Sequence, residues 1–581
     1  MAELETGAHA ALHSGQSEQQ RRESDIIKDG TENQDSSSNL GLEPRVGSND
    51  EIQWHYLTFE TPLPSPAHLS QQSSEPESRP PPPECPDLKK YTNPFLWPEK
   101  RKSGMTFLSV VATTFTAYTA GSYAPANEKY MALWNISEPA AEVGITTFTC
   151  GFGVAPMFLA PFSEINGRRP VFVVTGFLFV IFQMACALAP NYGAMLVFRF
   201  LVGCMGSTFS TMVGGVVSDI YHAKDRNTAM ALFSGGALFG TGLGPLVSGF
   251  IAQYTIWRWI YYLQIITNGC VWVYIFFFFH ETRGSILLSK KAKKLNKWYD
   301  QLEAAGYYGM MMPVTDDSSC SEKPASTTPQ RIRWKVKSDE ERSSLGKMIS
   351  ISLYRPFHLL FTEPVVFFFS LWISFAWSVL YLTFSAIPLV YSTNHGFNTA
   401  ETGAIFASIS VASVISTAIN VYQERLARRF FAEKRQAFLH TPEGRLYFSC
   451  VQSALLPIGL FWFGWTQFSS IPWIVPTLGL GCATMGILSI YLAVFNYLAD
   501  IYHRYASSAL AAQSFCRNMM AGAFPIFTAA MFRKMTFQGA SSFLGGFAAL
   551  LTVVPWILVF YGPKIRARSP IARELLMNGG S

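Results

Sequence analysis

Pro161-Phe162-Ser163-Glu164-Ile165-Asn166-Gly167-Arg168-Arg169-Pro170 is a short polar turn between two long apolar runs. Val143 to Ala160 precedes it, and Val171 to Ala189 follows. A helix rises about 1.5 Å per residue, so about 20 residues cross the hydrocarbon core of a bilayer. Each run is close to that length, which puts the turn at a membrane surface between two spanning helices. Its paired arginines mark that surface as cytoplasmic, because positive residues beside spans stay on that side. Gly167 turns the chain without a Cβ penalty. A compact charged hairpin in this position suits a latch for bundles that rock as rigid bodies.

The same pattern repeats along the chain. Twelve apolar stretches stand out, at about 105–124, 142–160, 171–189, 193–217, 229–252, 259–279, 363–392, 400–421, 447–466, 471–498, 508–531 and 543–562. A polar segment with the basic run Lys290-Lys291-Ala292-Lys293-Lys294 separates the sixth from the seventh. The expected fold is therefore an all-α membrane protein of twelve transmembrane helices in two pseudo-symmetric six-helix bundles. Its expected parts are a disordered cytoplasmic tail (1–95), a first bundle (96–280), a cytoplasmic central loop (281–356), a second bundle (357–563) and a cytoplasmic C-terminal tail (564–581).

Composition agrees. Charged residues make up 14% of the 581, against about 25% in soluble domains. The formal charge of +6 does not call for nucleic acid, since the basic residues fall in loops where they set topology. They gather in alternate loops, with Arg168 and Arg169, Lys224 and Arg226, the central loop, Arg425 to Arg435, and Arg504. Both termini are then expected in the cytosol. The sequon Asn135-Ile136-Ser137 falls on the outer face. No cysteine or histidine spacing resembles a metal site, and the cysteines read as small apolar filler. There is no GxxxxGK[ST] loop for ATP and no nucleophile–base motif, which argues against an enzyme. No cofactor is expected, and the energy source must be a gradient.

The halves also repeat in sequence. Asp219-Ile220-Tyr221-His222 ends the fourth span, and Asp500-Ile501-Tyr502-His503 ends the tenth. Two homologous halves suit alternating access. With the hairpin from Gly151 to Pro170, Arg199-Phe200-Leu201-Val202-Gly203, Gly240 to Gly249, Trp257 to Tyr261, His280-Glu281-Thr282 and Leu359 to Pro364, the chain over about 93–568 resembles the fungal twelve-span drug:proton antiporter branch of the major facilitator superfamily. Two residues depart from that pattern. Ser248 stands where relatives usually have glycine. Ser385 stands where many relatives, polyamine exporters included, have glutamate, and this weakens the case for a polycationic substrate.

The resemblance implies roles for particular residues. Glu164, Gly167, Arg168 and Arg169 would form the inner gate, with Glu164 paired to Arg168 or to a helix N-terminus; a solvated surface charge is the plainer reading of Glu164. Arg199 would take part in proton coupling, or else snorkel to headgroups. Gly240, Gly244, Pro245 and Gly249 would make a close, flexible seam between the halves, or simply pack. Asp219 and Asp500 would close inter-bundle salt bridges to the arginine hairpins, or cap their helices. Arg517, deep in the eleventh span, would line the cavity or pair with Asp500 or another acid. Tyr381 is the seventh-span aromatic best placed to line a cavity, one turn from Ser385. The proton site is not evident; Glu142, early in the second span, is a weak candidate.

The expected function is export of a small apolar or amphiphilic organic compound, such as a drug, toxin or secondary metabolite, by proton antiport. The partners are then a small-molecule substrate, protons and lipid, with the protein a monomer in the plasma membrane or, alternatively, the vacuolar membrane. Polyamine or metabolite transport by the same fold, or a non-transporting membrane sensor, are the other readings.

Overall fold

The computed structural model describes residues 50–67, 81–222, 225–313, 327–340, 345–430, 442–502 and 505–568. Lys224, Lys434, Arg435, His503 and Arg504 lie outside these residues, as do most of the N-terminal tail and the side chains of Arg425, Arg428 and Arg429.

Among the described residues, ten helices are long and apolar enough to cross a membrane. The last, Ala506–Gly562, holds two spans, because Thr536 takes the non-helical values φ 62° and ψ 161° and breaks it. The helix Glu99–Gly121 completes twelve. It is more polar than the rest because serine and threonine recur along it. Thr106, Ser109, Thr113, Thr116 and Thr119 each donate to the carbonyl four residues earlier, which hides their hydroxyls.

The first bundle comprises α1 (Glu99–Gly121), α2 (Glu138–Asn166), α3 (Arg168–Ala187), α4 (Tyr192–Ile220), α5 (Arg226–Tyr254) and α6 (Arg258–Phe278). The second comprises α7 (Pro364–His395), α8 (Thr399–Gln423), α9 (Leu446–Thr466), α10 (Ile474–Tyr502), α11 (506–535) and α12 (537–562). The twelve expected spans fall on these helices. Helices α7 and α10 are buried along most of their length. Helix α6 instead exposes Ile266, Val273, Tyr274, Phe277 and Phe278, an apolar face suited to lipid. The bundles meet along two helix pairs, α5 with α8 and α2 with α11.

The chain divides into two compact units. The smaller takes residues 1–53, 64–79 and 306–332; its described part includes the antiparallel hairpin Met310–Pro313 with Thr327–Gln330, where the Met311 amide donates to the Ser65 carbonyl at 2.9 Å. The larger contains both bundles and a structured part of the central loop.

Two expectations change here. The tail, expected to be disordered to residue 95, has ordered backbone at 81–97 and a strand, Gln53–Tyr56; the Leu57 amide donates to the Lys335 carbonyl at 2.8 Å. The loop is not simply polar linker. Its helix Gly284–Ala304 buries Ile286, Leu287, Leu295, Trp298 and Leu302 while its lysines stay on the other faces. Arg333 reaches Asp300 at 2.8 Å and Glu303 at 2.9 Å, and Trp298 donates to the Pro83 carbonyl at 3.0 Å. The basic run masked an amphipathic period of 3.6, which is why the segment read as solvated.

Candidate functional site

The hairpin of α2 and α3 is the most tightly tied feature. Gly167 has φ +99°, and a Cβ there would collide with the Glu281 carboxylate. The bare backbone is thus required twice, for its conformation and for the approach of an acid. Glu281 follows α6 and accepts from the amides of Arg168 at 2.9 Å and Arg169 at 3.2 Å. Those are unpaired donors of the first turn of α3, where a negative charge also meets the positive end of the helix dipole. Beneath it, Arg168 pairs with Asp219 at 3.1 Å and donates to Ser163 at 3.1 Å, while Arg283 binds the other Asp219 oxygen at 3.3 Å. Arg169 donates to the Phe276 carbonyl at 3.2 Å, at the C-terminal end of α6.

This geometry corrects two expectations. Glu164 makes no hydrogen bond or ion pair with a described residue; Glu281 holds the helix N-terminus instead. Asp219 closes a clasp wholly inside the first bundle, because α4 ends beside the start of α3 and not beside the second bundle. Its counterpart in the repeat does cross over. Asp500 pairs with Arg226 at 3.5 Å, and Asn496 donates to Asn227 at 3.1 Å, tying the end of α10 to the start of α5. His222, which the repeat singles out, stacks on Phe95 with ring centres 4.5 Å apart, a packing contact.

At the opposite end another set of contacts joins the bundles. Arg533 on α11 meets Glu138 on α2 at 2.9 Å, with its second nitrogen at 3.2 Å from the other oxygen. Farther in, Ser385 donates to Glu142 at 2.9 Å, Asn127 donates to the same carboxylate oxygen at 3.1 Å, and Thr146 donates to the Gly522 carbonyl at 2.7 Å. The second Glu142 oxygen is buried with no partner. Ser385 is therefore the cross-bundle partner of a buried acid. A second carboxylate at that position would face Glu142 at close range, and like charges there repel.

The small residues of α5 divide their work. Gly240 lets the α1 backbone in at Thr114, and Gly244 does so at Tyr118, both within the first bundle. Gly249 meets Gly403 of α8, where a Cβ would lie 3.0 Å from the Gly403 Cα. Pro245 packs between, its Cδ against Gly121 and its carbonyl against Gly403. The expected seam between halves thus accounts for one side of the motif, and close packing on α1 for the other.

Arg199 is 1% exposed. It donates to the carbonyls of Gly144 at 3.2 Å and Thr119 at 3.3 Å, and lies between the Tyr123 and Phe148 rings, each 4.7 Å away. It does not snorkel, and its described contacts include no carboxylate. Between the bundles lies a small cavity, lined by Thr113 and Thr116 of α1, Trp377 and Tyr381 of α7, and Arg517 and Asn518 of α11. Tyr381 and Arg517 are the cavity residues that the sequence pointed to. Arg517 pairs neither with Asp500 nor with any other described acid.

The family model described as Major Facilitator Superfamily matches residues 106–525. The efflux pump atB of Aspergillus terreus is 35% identical over 424 residues, 72% of this chain and 83% of the relative. The transporter paaT of Penicillium rubens is 33% identical over 465 residues, 80% of this chain and 78% of the relative. The multidrug transporter mdrA of Aspergillus fumigatus is 31% identical over 482 residues, 83% of this chain and 74% of the relative. Among solved structures, the proton:xylose symporter XylE superposes with a TM-score of 0.54 at 14% identity, covering 80% of this chain and 97% of that one. A partially occluded, inward-open form of XylE from E. coli gives 0.51 at 15% identity, covering 78% and 98%. At that identity only the fold is shared.

Proposed function

The chain belongs to the major facilitator superfamily, and we propose that it is an efflux transporter, expelling small apolar or amphiphilic organic compounds by proton antiport. The observation that carries the reading is the pair of separate polar ties, Arg226–Asp500 at one end and Arg533–Glu138 at the other, on either side of a central cavity. Breaking one tie while keeping the other opens the cavity to one face at a time, as alternating access requires. The names of the relatives, efflux pump and multidrug transporter, support export over uptake.

Glu142 is the proton carrier in this reading. Its carboxylate bridges α2 and α7, and its unpartnered oxygen can accept a proton while the other keeps Ser385. Protonation changes the charge at a contact between bundles, so it acts on the same equilibrium as the substrate. Basic residues gather at the hairpin end, which supports a cytosolic position for that end and for both termini. The protein acts as a monomer, in the plasma membrane.

The test is efflux of hydrophobic toxins from loaded vesicles with and without an imposed pH gradient. Gradient-dependent movement is expected, and Glu142→Gln, which can still accept from Ser385, is expected to uncouple it. Export unaffected by collapse of the gradient would remove proton antiport; uptake driven by the same gradient would reverse the direction.

A further inference from the structure

Arg517 is 1% exposed and sits in the wall of the central cavity. Its guanidinium lies against the rings of Trp377, 4.7 Å away, and Tyr491, 5.0 Å away, which stack on each other with centres 5.1 Å apart. Aromatic contact takes none of the five N–H donors as a conventional hydrogen bond would, so they still call for acceptors. One contact is made, a long one of 3.5 Å to Ser514. The Nε and Nη1 atoms have no acceptor. One turn earlier on α11, Gln513 is fully buried and neither atom of its amide has a partner. A buried charge without a partner is costly, and native interiors rarely leave one so.

The surroundings fix the sign of the ligand that the wall suits. Away from the span ends, the described residues place two buried guanidinium groups, Arg199 and Arg517, against one buried carboxylate, Glu142. Arg199, outside the cavity wall, donates to two backbone carbonyls and keeps one buried nitrogen without a partner, and the bonded oxygen of Glu142 is held by Ser385 and Asn127. Arg517 is the one charged side chain in the cavity wall among the described residues, so the wall is positive and suits an anion. Among the other lining residues, Phe152, Trp377 and Tyr381 offer aromatic surface. We propose that Arg517 is the receptor for the carboxylate head of a substrate whose remaining body is apolar or aromatic, so that the exported compounds include weak organic acids. A planar fork of donors matches a carboxylate in two parallel hydrogen bonds. The proposal rests on the efflux reading above for the direction of movement, but not for the binding.

The experiment separates those two. Full-length protein in nanodiscs is assayed by scintillation proximity with tritiated 1-naphthoate, in competition with its methyl ester and with 1-naphthylmethylammonium, no gradient being applied. Wild type is expected to prefer the acid over the ester by about tenfold or more, the scale of a hydrogen bond to a charged group. Arg517→Gln should remove that preference and leave ester binding in place, while Arg517→Lys should keep part of it. Equal or tighter binding of the ester or the ammonium by wild type overturns the proposal, as does an acid preference that survives in folded Arg517→Gln, or no naphthoate binding at millimolar concentration. The wild-type comparison needs no variant to fold. Gradient-driven efflux of the ester without any preference for the acid leaves the efflux reading standing and overturns this one; acid-selective binding without efflux does the reverse.

Discussion

The two ends of the helix array are tied by the same chemistry in different surroundings. At the hairpin end, the Arg168 and Asp219 side chains are 6% and 9% exposed, and Arg226 and Asp500 are 18% and 15% exposed. At the opposite end, Arg533 and Glu138 are 59% and 41% exposed. Water screens the second set, so its attraction is small, while the first works in a drier medium. The hairpin end is thus built as a rigid piece with a firm lock, and the opposite end as a loose one. An exporter needs that asymmetry if its resting state is to keep one face shut more strongly than the other.

The largest effect is expected from the clasp inside the first bundle. Arg168→Ala removes one of the two arginines on Asp219 and leaves it Arg283 and Thr282, a loss of about 3 kcal/mol, the upper range for a charged hydrogen bond. Transport should fall to background at unchanged membrane abundance, with a lower thermal midpoint in detergent. Arg168→Ala with Asp219→Ala should lose less than the sum of the two single changes, because neither charge is then left alone. Strict additivity in that cycle would mean that the clasp is not a unit.

Next comes the seam. Gly403→Ala puts a Cβ 3.0 Å from the Pro245 carbonyl and 3.1 Å from the Gly249 Cα. Backbone cannot yield as a side-chain tip does, so the α5–α8 contact should open at a cost of about 1–3 kcal/mol. Leak of substrate in the absence of a gradient is the readout, and a tight, fully active variant would assign the glycines to general packing. Smaller again is the lock between bundles. Asp500→Asn should weaken closure by about 1 kcal/mol, roughly a fivefold shift in the population open at the hairpin end. Distances between spin labels on the two bundles report it. Exchanging the charges, Arg226→Asp with Asp500→Arg, should restore most of the closed population; failure of that exchange would leave the pair without a gating role.

The sequence carried the spans because a bilayer demands long apolar runs, and nothing inside a run can hide that. It carried Gly167 and Arg168 because a glycine and a charge between two such runs have few other uses. Glu281 was quoted only as part of a family motif, since a lone acid after a span reads as solvated; its partner is a pair of backbone amides 113 and 112 residues away, which no local pattern reveals. Asp219 and Asp500 share a tetrapeptide, yet one bonds inside its bundle and the other across, because a repeat fixes local position and the neighbouring helix fixes the partner. Arg517 was legible as an oddity, an arginine deep in a span. That no described acid pairs with it could be learned only from the packing.

The smallest effect should come from the loose end, and it separates the two regions most cleanly. Arg533 and Glu138 form a two-point contact, but both side chains are wet, so the pair is worth about 0.2–1 kcal/mol. Arg533→Ala should therefore leave stability unchanged within error and alter transport by less than about fivefold. Its effect should also fade as salt rises from low to physiological strength, since exposed charges are screened over about 8 Å at the latter. The Asp500→Asn effect, with partners largely withdrawn from water, should depend less on salt. Equal salt dependence at the two ends would mean that the hairpin end is as wet as the other during turnover, and that its firmness belongs to one resting conformation alone.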